Sequence, residues 1–165
     1  MSIYSTLNQS LLHHLFNYSN GDFYWKVSPK QGISIGKKAG CKSSKNYITI
    51  KILGKHYQAH RLVFLYHNGY LPDIVDHIDG DKLNNRIENL REATPTQNQW
   101  NSKLSKSNTS GVKGVSWHKG KQKWTARVGH NYKIINLGSF VDKKDAECAV
   151  KTFRESLQGE FTNHG

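Results

Sequence analysis

The sequence predicts an α+β fold divided into two small domains, each combining short antiparallel strands with a helix. Three observations predict it. Apolar residues recur at helical spacing near both ends, as Leu7, Leu11, Leu12, Leu15 and Phe16 and again as Ala146, Ala149, Val150, Phe153 and Leu157. Between them the apolar runs are short, compatible with alternation and punctuated by glycine, which is the pattern of strands. A stretch at 101–110, rich in Ser, Asn and Lys, reads as a linker between a domain at 1–100 and another at 111–165. A chain of 165 residues suffices for two such modest cores.

Taken in order, the first helix is expected over 5–17 with Ser5 as its N-cap, its stripe serving as core. Strands follow at 23–27, 47–52 and 56–59, with Gly36, Gly40 and Gly54 as turn residues. A short helix over 61–66 ends near Gly69. An extended segment at 75–78 and a return strand at 89–93 make the next pair. Thr94 then suits an N-cap, Pro95 the first helical position, and Gln97 the place where a capping box puts Glu or Gln, so Asn98 falls on the first turn of a helix. Beyond the linker, strands at 114–118, 123–128 and 133–137 form a meander. Val115, Trp117, Trp124, Ala126, Val128, Ile135 and Leu137 share one face. Ser116, His118, Lys123, Thr125, Arg127, Ile134 and Asn136 share the other. Asp142 caps a last helix that covers the apolar face.

Charge narrows the partners. Lys and Arg number 24 against 12 Asp and Glu, a formal net charge of +12. No carboxylate occurs from Phe23 through Pro72 or from Asn101 through Val141. Two such tracts point to a polyanion, with nucleic acid foremost, because each Lys or Arg set against a phosphate releases counterions. Cys41 and Cys148 belong to no CxxC pair, so neither a structural zinc site nor a disulfide scaffold is expected. No apolar run approaches the roughly 20 residues that span a bilayer, and the N-terminus lacks a signal-peptide pattern. A soluble cytoplasmic protein with no membrane partner is the expectation.

The densest chemistry lies at Val75-Asp76-His77-Ile78-Asp79-Gly80. A carboxylate and an imidazole stand side by side in a short apolar stretch, and Asn98 arrives later at a helix start. A hairpin packed on that helix would let Asp76 and Asn98 converge on one ion, with His77 on the other side of a scissile phosphate. Two oxygen ligands suit Mg2+, which keeps several waters for a substrate to displace; Mn2+ or another divalent cation can substitute.

Ala59-His60-Arg61-Leu62-Val63, Asp76-His77-Ile78-Asp79-Gly80, Asn84-Asn85-Arg86, Asn89-Leu90-Arg91 and Asn98 together resemble the HNH homing endonucleases of phages and introns. The resemblance covers about the first hundred residues. It implies a ββα-metal fold in which His77 is the general base, Asp76 and Asn98 ligate the divalent cation, and Asn89 is a structural hydrogen-bonder of the hairpin. The last position is Asn98 where the family's letters have His, and members with Asn there are active. His60 is either a support of the site or a structural histidine at a helix start. The implied reaction is hydrolysis of a DNA phosphodiester to 5′-phosphate and 3′-hydroxyl ends.

The signature Gly114-Val115, Lys123-Trp124-Thr125-Ala126, Leu137-Gly138-Ser139-Phe140 and Ala146 with Ala149 resembles the AP2 DNA-binding domain. It implies a basic sheet face laid in a duplex groove, with Lys113, Ser116, His118, Lys123, Thr125 and Arg127 as contacts. Arg91 is a further candidate contact in the first domain. The plant members carry Arg where Ser116 and His118 stand and Trp where Asn136 stands, so their sequence preference does not transfer. Trp117 and Trp124 read as core rather than as base-stacking platforms. The expectation is therefore a metal-dependent endonuclease acting on double-stranded DNA, as monomer or homodimer, in a bacterial host or phage-infected cell. The alternative is a DNA-binding regulatory protein whose HNH domain is inactive.

Overall fold

The computed structural model describes residues 6–28, 33–130 and 133–161, and the chain divides into two units, Met1–Ala93 and Thr94–Gly165. Each combines small antiparallel sheets or ribbons with few helices, an α+β composition. Among the described residues no helix is long and apolar enough to cross a membrane.

The first unit opens with helix α1, Gln9–Leu15, capped by Asn8, whose side chain accepts from the Leu11 amide at 2.8 Å. This corrects the expected helix over 5–17 at both ends: Asn8 is the cap, and Ser5 lies outside the described residues. The chain turns extended at Phe16 to start strand β1, Phe16–Ser19, paired antiparallel with β2, Asp22–Trp25. Asn20 and Gly21, with φ of 49° and 90°, close this hairpin. An Asn-Gly pair between alternating residues is a strong hairpin signal, because both positions of the twisted turn need positive φ. The strand also packs the fully buried Phe16 ring against Phe23 and Trp25, at 4.9 and 4.5 Å between centroids. Burying one such ring contributes roughly 2–3 kcal/mol, more than the local helix preference it overrides.

Strands β3, Cys41–Lys42, β4, Ile48–Ile52, and β5, Lys55–Gln58, form a three-stranded antiparallel sheet in that order. Helix α2, Ala59–Asn68, follows without a break and ends at Gly69 in the left-handed conformation, φ 78°. It buries Leu62, Val63, Phe64 and Leu65 in one core with Leu11, Leu12, Phe16, Phe23, Ile50, Val75 and Leu90. Arg61, near its start, donates to the carbonyls of Pro72 and Asp73 at 3.0 and 2.7 Å, which fixes the chain entering the next strand. That strand, β6, Val75–His77, pairs antiparallel with β7, Leu90–Glu92, in the register Val75↔Glu92, Asp76↔Arg91 and His77↔Leu90.

The second unit opens with helix α3, Pro95–Trp100, where Thr94 and Gln97 form a full capping box and Pro95 takes the first turn. Trp100 stacks on His130 at 5.6 Å and 13°, and its indole donates to the Gly129 carbonyl at 3.2 Å. The segment at 101–110 is held by side chain to backbone bonds: Ser110 is buried and donates to the Val115 carbonyl at 2.6 Å. Strands β8, Val115–His118, β9, Lys123–His130, and β10, Lys133–Phe140, form a meander with β9 central. Helix α4, Lys143–Gln158, capped by Asp142, closes a core of Val115, Ala126, Val128, Ala146 and Val150.

Two positions depart from simple alternation. Thr125, expected on the outer face, is buried because β9 is flanked on both sides, by Ser116 of β8 and Ser139 of β10. Trp117, expected in the core, is 44% exposed on the edge strand, set edge-on to Trp124 at 5.2 Å. A bulge between Asn136 and Gly138 shifts the register of β10, which the sequence pattern alone does not announce.

Candidate active site

Successive residues of a strand point to opposite faces, so the β6 pair Asp76 and His77 serves two environments at once. Both side chains are buried, at 6% and 5% exposure. Asp76 faces its cross-strand partner Arg91, whose Nε donates to Oδ2 at 3.1 Å. His77 faces the other way. Its Nε2 lies 3.0 Å from Oδ1 of Asn85, itself 2% exposed.

His60, near the start of α2, packs its ring 4.7 Å from that of His77. Burial, with the neighbouring His77 and Arg61 adding to it, pushes the His60 pKa down from 6.5 to about 3. The ring is therefore neutral at ordinary pH. Tyr47, just before β4, packs on His60 at 5.3 Å and lies 6.2 Å from His77, with the Lys82 ammonium 4.6 Å over its own ring. Two imidazoles, a phenol and a cation thus line one side of the hairpin.

The loop joining β6 to β7 is built around Asn89 and Asp79. Asn89 accepts from the Asp79 amide at 3.0 Å and donates to the Asp79 carboxylate at 2.9 Å and the Asn84 carbonyl at 2.8 Å. Asn84 donates to the other Asp79 oxygen at 2.7 Å. Partial burial pushes the Asp79 pKa up, but hydrogen bonds from Asn84, the Asp81 amide and Asn89, with His77 nearby, outweigh it and hold the carboxyl below its usual range. The backbone closes the same loop: the Ile78 amide donates to Asn89 O at 2.9 Å and the Gly80 amide to His77 O at 2.9 Å.

The other residues singled out from sequence are placed as follows. Asn98 is exposed on the first turn of α3, in the second unit. Arg91 is engaged with Asp76. Lys113 is half-buried, its ammonium donating to the carbonyls of Trp100 and Ser102 at 2.7 and 2.6 Å, and burial with Arg154 nearby lowers its pKa to about 8. Ser116 and Thr125 bond to each other through their hydroxyls at 2.9 Å. His118, Lys123 and Arg127 are exposed, with His118 Nδ1 accepting from the Lys121 amide at 3.2 Å.

Asn85, Tyr47 and Lys82 are additions that sequence reasoning did not single out. Asn84-Asn85 stood within a recognisable motif, but nothing in a pair of asparagines tells which one turns inward. Tyr47 is thirty residues from His77 along the chain and meets it only through the fold.

Among the described residues no group of three or more His, Cys, Asp and Glu side chains could hold a metal ion. The donor chemistry at β6 is a single fixed carboxylate, Asp76, a hard oxygen donor. That fits a cation taking one or two protein oxygens and keeping its waters, as Mg2+ does.

A family profile described as HNH endonuclease matches residues 57–100, which runs from β5 through α3. Protein 3.8 of Escherichia phage T7 is 42% identical over 96 residues, covering 57% of this chain and 78% of that protein. The uncharacterized HNH endonuclease L560 of Acanthamoeba polyphaga mimivirus is 40% identical over 112 residues, 66% of this chain and 57% of its own length. No solved structure matches.

Proposed function

Since the chain belongs to the HNH endonuclease family, we propose that it is a divalent-metal-dependent DNA endonuclease of the homing type, with His77 as general base. The observation that carries this reading is the β6 pair itself. Asp76 and His77 are adjacent, buried, aimed to opposite faces, and each fixed by a polar partner, Arg91 and Asn85. A base and a carboxylate so held lose little orientational freedom when a phosphodiester arrives.

In the reaction His77 takes a proton from water, and the resulting hydroxide attacks phosphorus opposite the 3′ oxygen. Asp76, and by the family resemblance Asn98, would hold the cation, Mg2+ or Mn2+. Bound there, it would supply charge stabilisation to the phosphate and to the departing 3′ oxygen. Arg91 locks the Asp76 carboxylate in one rotamer; neutral His60 and Tyr47 wall in the His77 ring. The products carry 5′-phosphate and 3′-hydroxyl ends.

The second unit is proposed as an AP2-like module that addresses double-stranded DNA through the exposed His118, Lys123 and Arg127 of its sheet. Lys113 and Thr125 support that sheet and its approach rather than contacting DNA. One centre cuts one strand per visit, so double-strand cleavage by a monomer takes two events and by a homodimer one. The cytoplasm of a bacterial host cell is the setting in which such an enzyme meets its substrate.

Incubating supercoiled plasmid with the protein tests the reading. Relaxed or linear DNA should form in Mg2+ and not in EDTA, with ends that a ligase reseals without prior phosphorylation. Protein that binds the plasmid but cuts it in no divalent metal would instead be a DNA-binding protein with an inactive centre.

A further inference from the structure

We propose that a groove on the first unit, between α1 and the β3–β5 sheet, is a docking site for an acidic peptide segment that carries aliphatic side chains. The groove shares no residue with the candidate nuclease centre. It encloses about 770 Å3, within the range of small-ligand sites.

Its lining sets the chemistry of the occupant. Leu11 and Leu15 of α1, Trp25 of β2 and Ile52 of β4 give an apolar floor, and Lys37, Lys38 and Lys51 stand exposed around it. No Asp or Glu is among the described residues of the lining. Lys38 already holds one carboxylate, donating to Asp22 at 2.6 Å. A partner entering here meets cations at the rim and aliphatic carbon below, so its complement is a segment of carboxylates interleaved with aliphatic side chains. The groove is preformed. Gly40, at φ 94°, lies so close to β4 that a Cβ there would stand 2.8 Å from the Thr49 carbonyl.

The rim carries a second, independent observation. Leu53 and Gly54 join β4 to β5 as a two-residue turn with φ of 49° and 78°. Both positions of such a turn need positive φ, for which Asn-Gly is the usual pair. This chain uses that pair at Asn20-Gly21, with φ of 49° and 90°. A leucine in the left-handed region is strained, and at 53% exposure Leu53 adds little to the core. It serves neither the turn nor the fold. It does line the groove, where a docked aliphatic group would cover it.

Nucleic acid fits this lining less well. Trp25 is 6% exposed and packed on Phe16 at 4.5 Å, so its indole offers no face to an unpaired base. A duplex would meet the lysines with its phosphates and leave the aliphatic floor uncovered.

The test is fluorescence anisotropy on the full chain with a labelled peptide in which Glu and Leu alternate. Two control peptides carry Ser for every Leu or Lys for every Glu. The Glu-Leu peptide should bind at least about tenfold tighter than either control. Leu53→Asn should weaken that binding about tenfold and raise the thermal midpoint, since Asn suits the turn that Leu strains. Lys51→Glu, an exposed change, should weaken the same binding. Equal binding of the Ser control would mean that net charge alone attracts the peptide, and unchanged binding in Leu53→Asn would place the peptide elsewhere; either overturns the proposal. A midpoint that falls in Leu53→Asn would give the leucine to the fold and overturns it as well. So does an unpaired oligodeoxynucleotide that displaces the peptide and loses affinity in Leu53→Asn, because the groove would then be a nucleic-acid site.

Discussion

At the scale of single residues, the site depends on groups whose roles are set by burial. His60 shows this best. Its folded pKa, about 3, lies below the ordinary 6.5, so the folded state favours the neutral ring. The stability that this contributes is fully present above about pH 6.5 and is lost as pH falls toward 3. The slope approaches about 1.4 kcal/mol per pH unit for one proton. Urea midpoints measured between about pH 6.5 and 4 should therefore fall with acid in the wild type and fall less steeply in His60→Leu; equal slopes would mean that the ring is not held neutral. Asp79 has the same sign, being lowered from 3.8, but its loss begins only at lower pH. Asp76, His77, Asn89 and Asn98 could be named as candidates from residue type, spacing and the family resemblance. Of the partners, His60 was named as a support of the site or a structural histidine, but Asn85 and Tyr47 were not. All three come to His77 from separate segments, and no local pattern states which polar side chain will turn inward.

At the scale of elements, legibility followed local backbone chemistry. The start of helix α3 was readable because its signals, Thr94, Pro95 and Gln97, act within one turn. Thr94→Ala should cost about 1 kcal/mol of the second unit's stability, read as a lowered thermal midpoint, whereas an unchanged midpoint would mean that the capping box carries no net energy. The end of α1 was misread because the apolar stripe continues through Phe16, while the Asn20-Gly21 turn recruits that same residue into a strand. Gly21→Ala should then do two things. It puts a Cβ against Asn85 and Arg86 at φ 90°, which should destabilise the first unit by roughly 1–3 kcal/mol and slow cleavage through the displaced Asn85 loop. Measuring both in one variant separates a harmless turn from one that buttresses the site: wild-type stability and rate would contradict the arrangement.

At the scale of the whole molecule, the formal charge of +12 and two carboxylate-free tracts anticipate a polyanion before any fold is known. The α+β class, the pairing of β6 with β7 and the meander of the second unit followed from alternation and turns, whereas β1 and β3 of the first unit did not. The bulge in β10, the burial of Thr125 and the internal use of Lys113 did not, since each depends on neighbours across a sheet or along a distant loop. The exposed cations then carry the DNA reading. Replacing Lys123 and Arg127 by Ala should weaken DNA binding and reduce the slope of log K against log salt by about 2, while the fold stays intact. An unchanged slope would place the DNA elsewhere on the protein.

If the Asp76-His77 hairpin is a hydrolytic centre, His77→Ala should separate cleavage from binding. Single-turnover nicking of supercoiled plasmid in Mg2+ and affinity for the same DNA should be followed side by side with the wild type. Cleavage should fall by at least about a hundredfold with affinity nearly unchanged, as removal of a general base requires. Cleavage that survives the substitution, or cleavage and affinity falling together by the same factor, would contradict that role.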